Sequence, residues 1–221
     1  MTKRRLKQLI LLLMFLSATD GWASPLHHKA FSLTAMPASI KKQTLNTIDA
    51  GLHWEDKAGE HLALFSSSRS KTNTITLTAQ HFSIVEGQPH LVRAVKEVRA
   101  CPEFDNVTAF IPSSIGLTDL DQDGLAEISF MYVTDCVSDM SPQSAKLLIL
   151  EDGKKYAIRG STKYVDPQVS VKTEFAVGAH FNSLSKAMQS FAMTLWHREA
   201  VTPLSARTKS LLFSQPRTTT P

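Results

Sequence analysis

Short runs in which apolar and polar residues alternate constrain this chain more than any other feature. The runs are rich in β-branched residues and are separated by turn residues, a pattern typical of strands with one buried face. Seven strands are predicted, at 61–66, 74–85, 90–99, 107–111, 126–133, 146–150 and 155–159. Asp152-Gly153 between the last two predicts a hairpin turn, and a further turn at 54–60 follows a strand ending near Trp54.

Near the C-terminal end the spacing of apolar residues changes to three and four, which predicts an amphipathic helix packed on the sheet. Asn182 or Ser183 is placed to cap its start. Its apolar stripe consists of Leu184, Ala187, Met188, Phe191, Leu195 and Trp196. The fold class expected is α+β, mainly antiparallel β, with the helix covering one sheet in a single domain.

The first 23 residues have the pattern of a signal peptide. A basic start precedes an apolar run from Leu9 to Leu16 and a small-residue exit ending at Ala23. The run is shorter than the roughly 20 residues that a membrane-spanning helix needs. We therefore predict a signal peptide at 1–23, one β-rich domain at 24–200, a flexible tail at 201–221, and a periplasmic or secreted product without a transmembrane anchor.

The charge balance argues against a polyanionic partner for the mature chain as a whole. The full sequence has a net charge of +4. Removal of residues 1–23 takes away four basic residues and one acidic residue, which leaves +1. A near-neutral domain lacks the basic excess typical of proteins that bind nucleic acid or anionic membranes. The cations Lys154, Lys155 and Arg159 are expected to form a solvent-exposed face. The alternative is that they contact an anionic glycan.

Cys101 and Cys136 are the only cysteines, and in an oxidising compartment an isolated pair is most simply a disulfide. The alternative is a catalytic thiol. No histidine lies close to either cysteine in sequence, and no C-x-x-C spacing occurs. A disulfide is therefore the prediction, and it encloses the most acidic part of the chain.

That acidic part contains a D-x-D-x-D-G-x-x-E run. Alternate side chains of a tight turn can all point inward, and carboxylate and carbonyl oxygens are the ligands that Ca²⁺ prefers. The predicted structural Ca²⁺ ligands are Asp119, Asp121, Asp123, Glu127 and the backbone carbonyl of Leu125. Phe130 stands where an EF-hand needs its bidentate Glu, so an EF-hand is rejected. Two alternatives remain: a metal-free turn held by Asp side chains and a catalytic metal site.

This run resembles the short calcium loop of FG-GAP and VCBS-type repeats, in which the acidic turn leads directly into a strand. The chain has one copy, so a propeller is not implied. From Trp54 to Trp196 the chain is similar to a family of small exported bacterial proteins. Segments that carry this similarity are 54–59, 139–142, 153–160 and 191–196. Some members of that family bear a label of surface-polysaccharide biosynthesis, which implies an envelope setting.

Together these features predict an exported calcium-binding protein of the cell envelope, non-catalytic, acting as an accessory or binding protein for envelope glycan or protein. The alternative is a glycan-acting hydrolase that uses acidic residues near the calcium loop. Two carboxylates about 5 to 10 Å apart would be needed, and Asp135, Asp139 and Glu103 are the candidates. A purely structural envelope factor is the third possibility.

Overall fold

Two five-stranded antiparallel sheets dominate the computed structural model, which describes residues 26–32, 36–37, 40, 47–139, 141–166, 169–170 and 174–202. The predicted signal peptide lies outside the described residues. Sheet 1 takes its strands in chain order: β1 (His27–Lys29), β2 (Thr47–Asp56), β3 (Gly59–Arg69), β4 (Thr74–Val85) and β5 (Gln88–Ala100). Along β4 buried and part-exposed residues largely alternate, as the sequence predicts.

Sheet 2 and the smaller strands come from the second half of the described chain. The remaining strands are β6 (Asp105–Asn106), β7 (Ala109–Thr118), β8 (Glu127–Val133), β9 (Cys136–Val137), β10 (Ser144–Glu151), β11 (Lys154–Ser161), β12 (Lys163–Asp166), β13 (Val169–Ser170), β14 (Phe175–Val177) and β15 (Val201–Thr202). Sheet 2 has the order β14-β11-β10-β8-β7, while β6 pairs with β9, and β12 pairs with β13 and β15. The predicted strand at 107–111 is displaced, since β7 runs on to Thr118.

Two hairpin turns follow from their sequences. Asp152 and Gly153 both have positive φ, at 42° and 66°, and join β10 to β11 as predicted. Glu86 and Gly87 form the equivalent turn between β4 and β5, with φ of 51° and 73°. Positive φ at both central residues is the geometry that matches the twist of paired strands.

The main core lies between the two sheets. Phe65 of sheet 1 contacts Phe110 and Phe130 of sheet 2 edge to face, with ring centroids 5.4 and 5.2 Å apart. Such aromatic pairs add to the stabilisation that burial of their area provides. On its other face, sheet 1 buries Leu64 and Phe82 against Met36 and Ile40.

The helix α1 (Lys186–Glu199) packs on the other face of sheet 2 and buries Met188, Ala192, Leu195 and Trp196. Its position confirms the predicted class, an α+β single domain with a C-terminal helix on the sheet. The predicted cap is wrong, because Asn182 and Ser183 lie in a preceding 3-10 turn, and Ser185 accepts the N–H of Met188 at 3.1 Å. Ala187 is exposed and Ala192 is buried in its place.

Val201–Thr202, the start of the predicted tail, pair with β12 in parallel, and residues 203–221 lie outside the described residues. Cys101 and Cys136 form the predicted disulfide, with Cα atoms 5.4 Å apart. Among the described residues no helix is long and apolar enough to cross a membrane.

Candidate metal centre

The acidic loop, residues 119–126, connects β7 to β8 at one end of the two sheets. Gln122 and Gly124 adopt positive φ, at 61° and 85°, so the chain reverses within a few residues. Glu127, the last acidic residue of the run, is also the first residue of β8. Pairing of Thr118 with Glu127 closes the two strands beneath the loop. The loop therefore leads directly into a strand, as its sequence predicts.

Three carboxylates of the loop converge. One oxygen each from Asp119, Asp121 and Glu127 lie within 4.8 Å of one another, so this group can hold a metal ion. The Oδ1 atom of Asp119 is buried and has no hydrogen-bond partner in the described part of the chain. A buried carboxylate oxygen without a donor is costly unless a cation or water approaches it.

Glu127 forms the buried floor of this group and is 1% exposed. It accepts hydrogen bonds from the Thr118 hydroxyl at 2.7 Å and from the Leu120 N–H at 3.2 Å. Burial raises the pKa of its carboxyl, and these two hydrogen bonds act in the opposite direction. Glu127 is thus fixed in orientation before any ion is bound.

A fourth carboxylate near the loop, Glu151, is not among the ligands that the sequence predicts. It lies at the end of β10, where the Tyr156 hydroxyl and the Asp121 carboxylate both act on its pKa. Burial raises the pKa of Glu151, the negative charge of Asp121 raises it further, and the Tyr156 hydroxyl lowers it. In the sequence Glu151 reads only as part of a hairpin turn; the pairing of β8 with β10 brings that turn to the acidic loop.

Asp123, which is also a predicted ligand, lies at the outer side of the loop. Asp123 is exposed, and its Oδ1 accepts the Leu125 N–H at 2.8 Å, which stabilises the turn. Its own N–H is 3.4 Å from an oxygen of Asp121. Asp123 is outside the convergent group of three, and the Nζ of Lys57 approaches its backbone carbonyl at 3.5 Å.

Asp56 holds the acidic loop against sheet 1. Its carboxylate, 9% exposed, accepts hydrogen bonds from Trp54 Nε1 at 2.8 Å, from Ala58 N at 2.8 Å and from Ala126 N at 3.1 Å. The N–H of Lys57 also donates to the carbonyl of Gly124 at 2.9 Å. The sequence 54–60 is the predicted turn, and its role as the docking point of the loop has no signal in the sequence.

His61, which is buried, and His81, which is part-buried, continue this network across sheet 1. The Nε2 of His61 is 3.3 Å from Asp56 Oδ1, and its Nδ1 is 3.1 Å from His81 Nε2. Trp54 stacks on both rings, with centroids 5.1 and 5.2 Å away. The pKa of His81 is lowered to about 4, mainly by burial and also by the neighbouring His61 and Arg93, against the opposing effect of Asp56. His81 is therefore neutral near pH 7.

This shift predicts a loss of stability in mild acid. Below its ordinary pKa of 6.5, His81 takes up a proton in the unfolded chain while the folded protein resists protonation to about pH 4. His81 therefore causes no loss of stability above pH 6.5, and its contribution lowers the free energy of unfolding by up to about 3 kcal/mol as the pH decreases to about 4. In urea unfolding with EDTA present, His81→Gln should flatten this dependence, whereas His90→Gln at an exposed site should retain it. Equal slopes in the two variants would contradict this assignment.

Two of the three carboxylates considered for a hydrolase accept hydrogen bonds from nearby backbone N–H groups. Asp135 accepts from Cys136 N at 2.9 Å and from Ser144 N at 3.1 Å. Asp139 accepts from Ser141, and these hydrogen bonds lower its pKa, the opposite of what a general acid needs. Glu103 is exposed. This arrangement does not favour an acid and base pair.

Comparisons of the chain with protein-family models, with curated proteins and with solved structures found no match.

Proposed function

We propose that this chain is an exported calcium-binding protein of the cell envelope, which acts as a non-catalytic accessory or binding protein. The observation that carries the proposal is the convergence of Asp119, Asp121 and Glu127 around one point. Asp56 and the backbone of Lys57 fix the position of this loop, so an ion bound there would stabilise the junction between the two sheets.

Calcium is favoured by the chemistry of the donors. It takes six to eight oxygen ligands and tolerates irregular geometry, so backbone carbonyls and water can complete a shell begun by three carboxylates. Glu151 adds support, since the negative charge of Asp121 raises its pKa, and a bound cation would offset that repulsion. Zinc is disfavoured, because it prefers His and Cys ligands and the convergent group contains neither.

The envelope setting rests on two separate supports. The disulfide between Cys101 and Cys136 is typical of proteins from oxidising compartments. The resemblance to small exported bacterial proteins suggests a connection with surface polysaccharide, and this connection is part of the proposal. An unchanged profile of envelope glycans after deletion of the gene would contradict the polysaccharide part and leave the ion site untouched.

Thermal unfolding in EDTA and in a calcium series tests the ion site. A ligand at 100 times its Kd adds about 2.7 kcal/mol to the free energy of unfolding, which is roughly 5 to 10 °C in Tm for a domain of this size. Asp121→Asn should lose most of this increase. The matched control is Asp139→Asn, because Asp139 is exposed and lies outside the convergent group.

Three outcomes separate the alternatives. A calcium-dependent increase that Asp121→Asn abolishes supports a structural ion at the loop. An increase of the same size in Asp121→Asn and wild type would mean that calcium binds elsewhere. No increase in Tm at millimolar calcium would mean that the acidic run is a metal-free turn held by its own Asp side chains.

A further inference from the structure

Sheet 2 extends beyond the edge of sheet 1. The last strand of sheet 1, β5, lies over β8 and β10, because Glu97 accepts from the Tyr132 hydroxyl at 2.8 Å and from Lys146 Nζ at 2.7 Å. Beyond β10, sheet 2 continues with β11 and β14, whereas sheet 1 ends at β5. On the face of β11 that points towards sheet 1, Ala157 is buried in the core between the sheets. Lys155 and Arg159, on either side of it, are exposed.

Cations line the part of sheet 2 that extends past β5. Lys146 and Arg159 are directly opposite each other on β10 and β11, and Lys155 shares their face because side chains alternate along a strand. Arg93 and Arg99 belong to the inward face of β5, to which Glu97 also belongs. We define the basic ledge as Arg93, Arg99, Lys146, Lys155 and Arg159. On these strands Glu97 is the carboxylate that faces it.

The basic ledge is electrostatically unfavourable without a ligand. Like charges directly opposite each other destabilise a strand pair, and only Lys146 of the Lys146–Arg159 pair has an ion-pair partner among the described residues. Arg93 donates to the carbonyl of Gly153, while its Nε is buried and lacks a partner in the described structure. The ledge thus presents excess positive charge.

The backbone edge of β5 runs beside this ledge. Val92 is an extra residue in the pairing with β4, since Leu91 pairs with Phe82 and Arg93 with His81. At the other end, Asn106 already donates to the carbonyl of Arg99. The regular edge is therefore 93–98. On the outer face of the same strand, Leu91 and Val98 are 55% and 51% exposed. The bulge at Val92 and the inward charges of Arg93, Glu97 and Arg99 protect such an edge from unselective pairing, so a partner strand has to complement these charges.

We propose that β5 receives an extended acidic segment of a partner protein as an added strand of sheet 1. The added strand would lie above β11, with alternate acidic side chains over Lys155 and Arg159 and the intervening apolar side chains beside Leu91 and Val98. Backbone hydrogen bonds would supply affinity, and this alternation of charge would supply specificity. The chain's own C-terminal segment 203–221 is an unsuitable occupant, because it contains three cations and no carboxylate side chain.

A strand-forming peptide is favoured over a nucleic acid. Single-stranded nucleic acid is bound by basic grooves that also offer aromatic faces for stacking. Tyr132, whose ring centroid is 5.7 Å from Lys146 Nζ, is 3% exposed and offers no such face. A segment that pairs with β5 uses both the free edge and the ledge, and this inference does not depend on the proposed calcium ion.

The test uses a short synthetic peptide in which Glu and Val alternate, titrated onto the folded protein in EDTA. A peptide of equal composition with its Glu and Val residues in separate blocks keeps the charge and loses the alternation. We expect the alternating peptide to bind about tenfold more tightly than the block peptide. It should also slow amide hydrogen exchange at 93–98.

Charge-reversal variants test the ledge. Lys155→Glu with Arg159→Glu should weaken binding of the alternating peptide by about tenfold or more, because two attractive contacts become repulsive. The matched control is Lys186→Glu with Arg198→Glu, which reverses two exposed cations of α1 on the opposite face of sheet 2 and should leave binding unchanged.

Several outcomes would overturn the proposal. Equal binding of the two peptides would show general attraction to negative charge. Tighter binding of oligo-dT or hyaluronan than of the alternating peptide would assign the ledge to nucleic acid or acidic polysaccharide. Binding without added protection at 93–98 would exclude strand addition, even if the charge-reversal variant weakened it.

Discussion

Replacement of Asp56 with alanine is expected to destabilise the protein by about 3 to 5 kcal/mol. The carboxylate accepts three hydrogen bonds, from Trp54, Ala58 and Ala126, and it is almost fully buried. Removal of this carboxylate leaves those three N–H donors without an acceptor. Loss of a buried acceptor of this kind is among the most costly single changes in a protein. The loss is large because Asp56 joins the β2–β3 hairpin to the loop that precedes β8.

Urea unfolding measures this loss, and two variants calibrate it. Asp56→Asn keeps an acceptor oxygen and should cost less than Asp56→Ala. Asp49→Ala removes an exposed carboxylate from the same strand, together with its hydrogen bond to Ser67, and should change stability by about 0.5 kcal/mol or less. If Asp56→Ala were as mild as Asp49→Ala, the proposed docking of the loop through Asp56 would be wrong.

Loss of the Cys101–Cys136 disulfide should cost on the order of 4 kcal/mol. The two residues are 35 positions apart, and chain-entropy arithmetic for a loop of that length gives about this value. Cys101 is fully buried at the end of β5, so its replacement also removes packed atoms. For a domain of this size, the change corresponds to a decrease of roughly 8 to 16 °C in Tm.

A comparison of reduction and mutation separates the covalent link from packing. Wild-type protein in dithiothreitol should show most of the decrease, while Cys101→Ala with Cys136→Ala should show it with or without the reductant. A double variant as stable as the oxidised wild type would mean that the native state of this region is strained by the bond or that the unfolded state is already restricted.

Local patterns account for what the sequence predicts well. Alternating apolar residues identified the long strands, and Asp152-Gly153 identified the hairpin between β10 and β11, because both depend on neighbouring residues. The short strands β1, β6, β9, β12, β13, β14 and β15 were not predicted. They have two to four residues each, too few for a periodic pattern, and their pairing depends on the surrounding fold.

For the candidate site, too, the sequence predicts only what neighbouring residues determine. The spacing of Asp119, Asp121 and Glu127 predicted their convergence, since all three belong to one tight loop. Glu151 and Asp56 reach the loop from other hairpins, and only strand pairing and sheet packing bring them there. The basic ledge likewise depends on how far one sheet extends past the other, which no local pattern contains.

Sheet 1 pairs only strands that are neighbours along the chain. Such pairings close short loops, so this sheet can form early in folding, before contacts between distant segments. The hydrogen bond between Asp56 and Ala126 spans 70 residues and closes the structure afterwards. Interactions made after the rate-limiting step act mainly on the rate of unfolding. An ion held at the acidic loop would therefore lengthen the lifetime of the folded protein and leave its rate of folding almost unchanged.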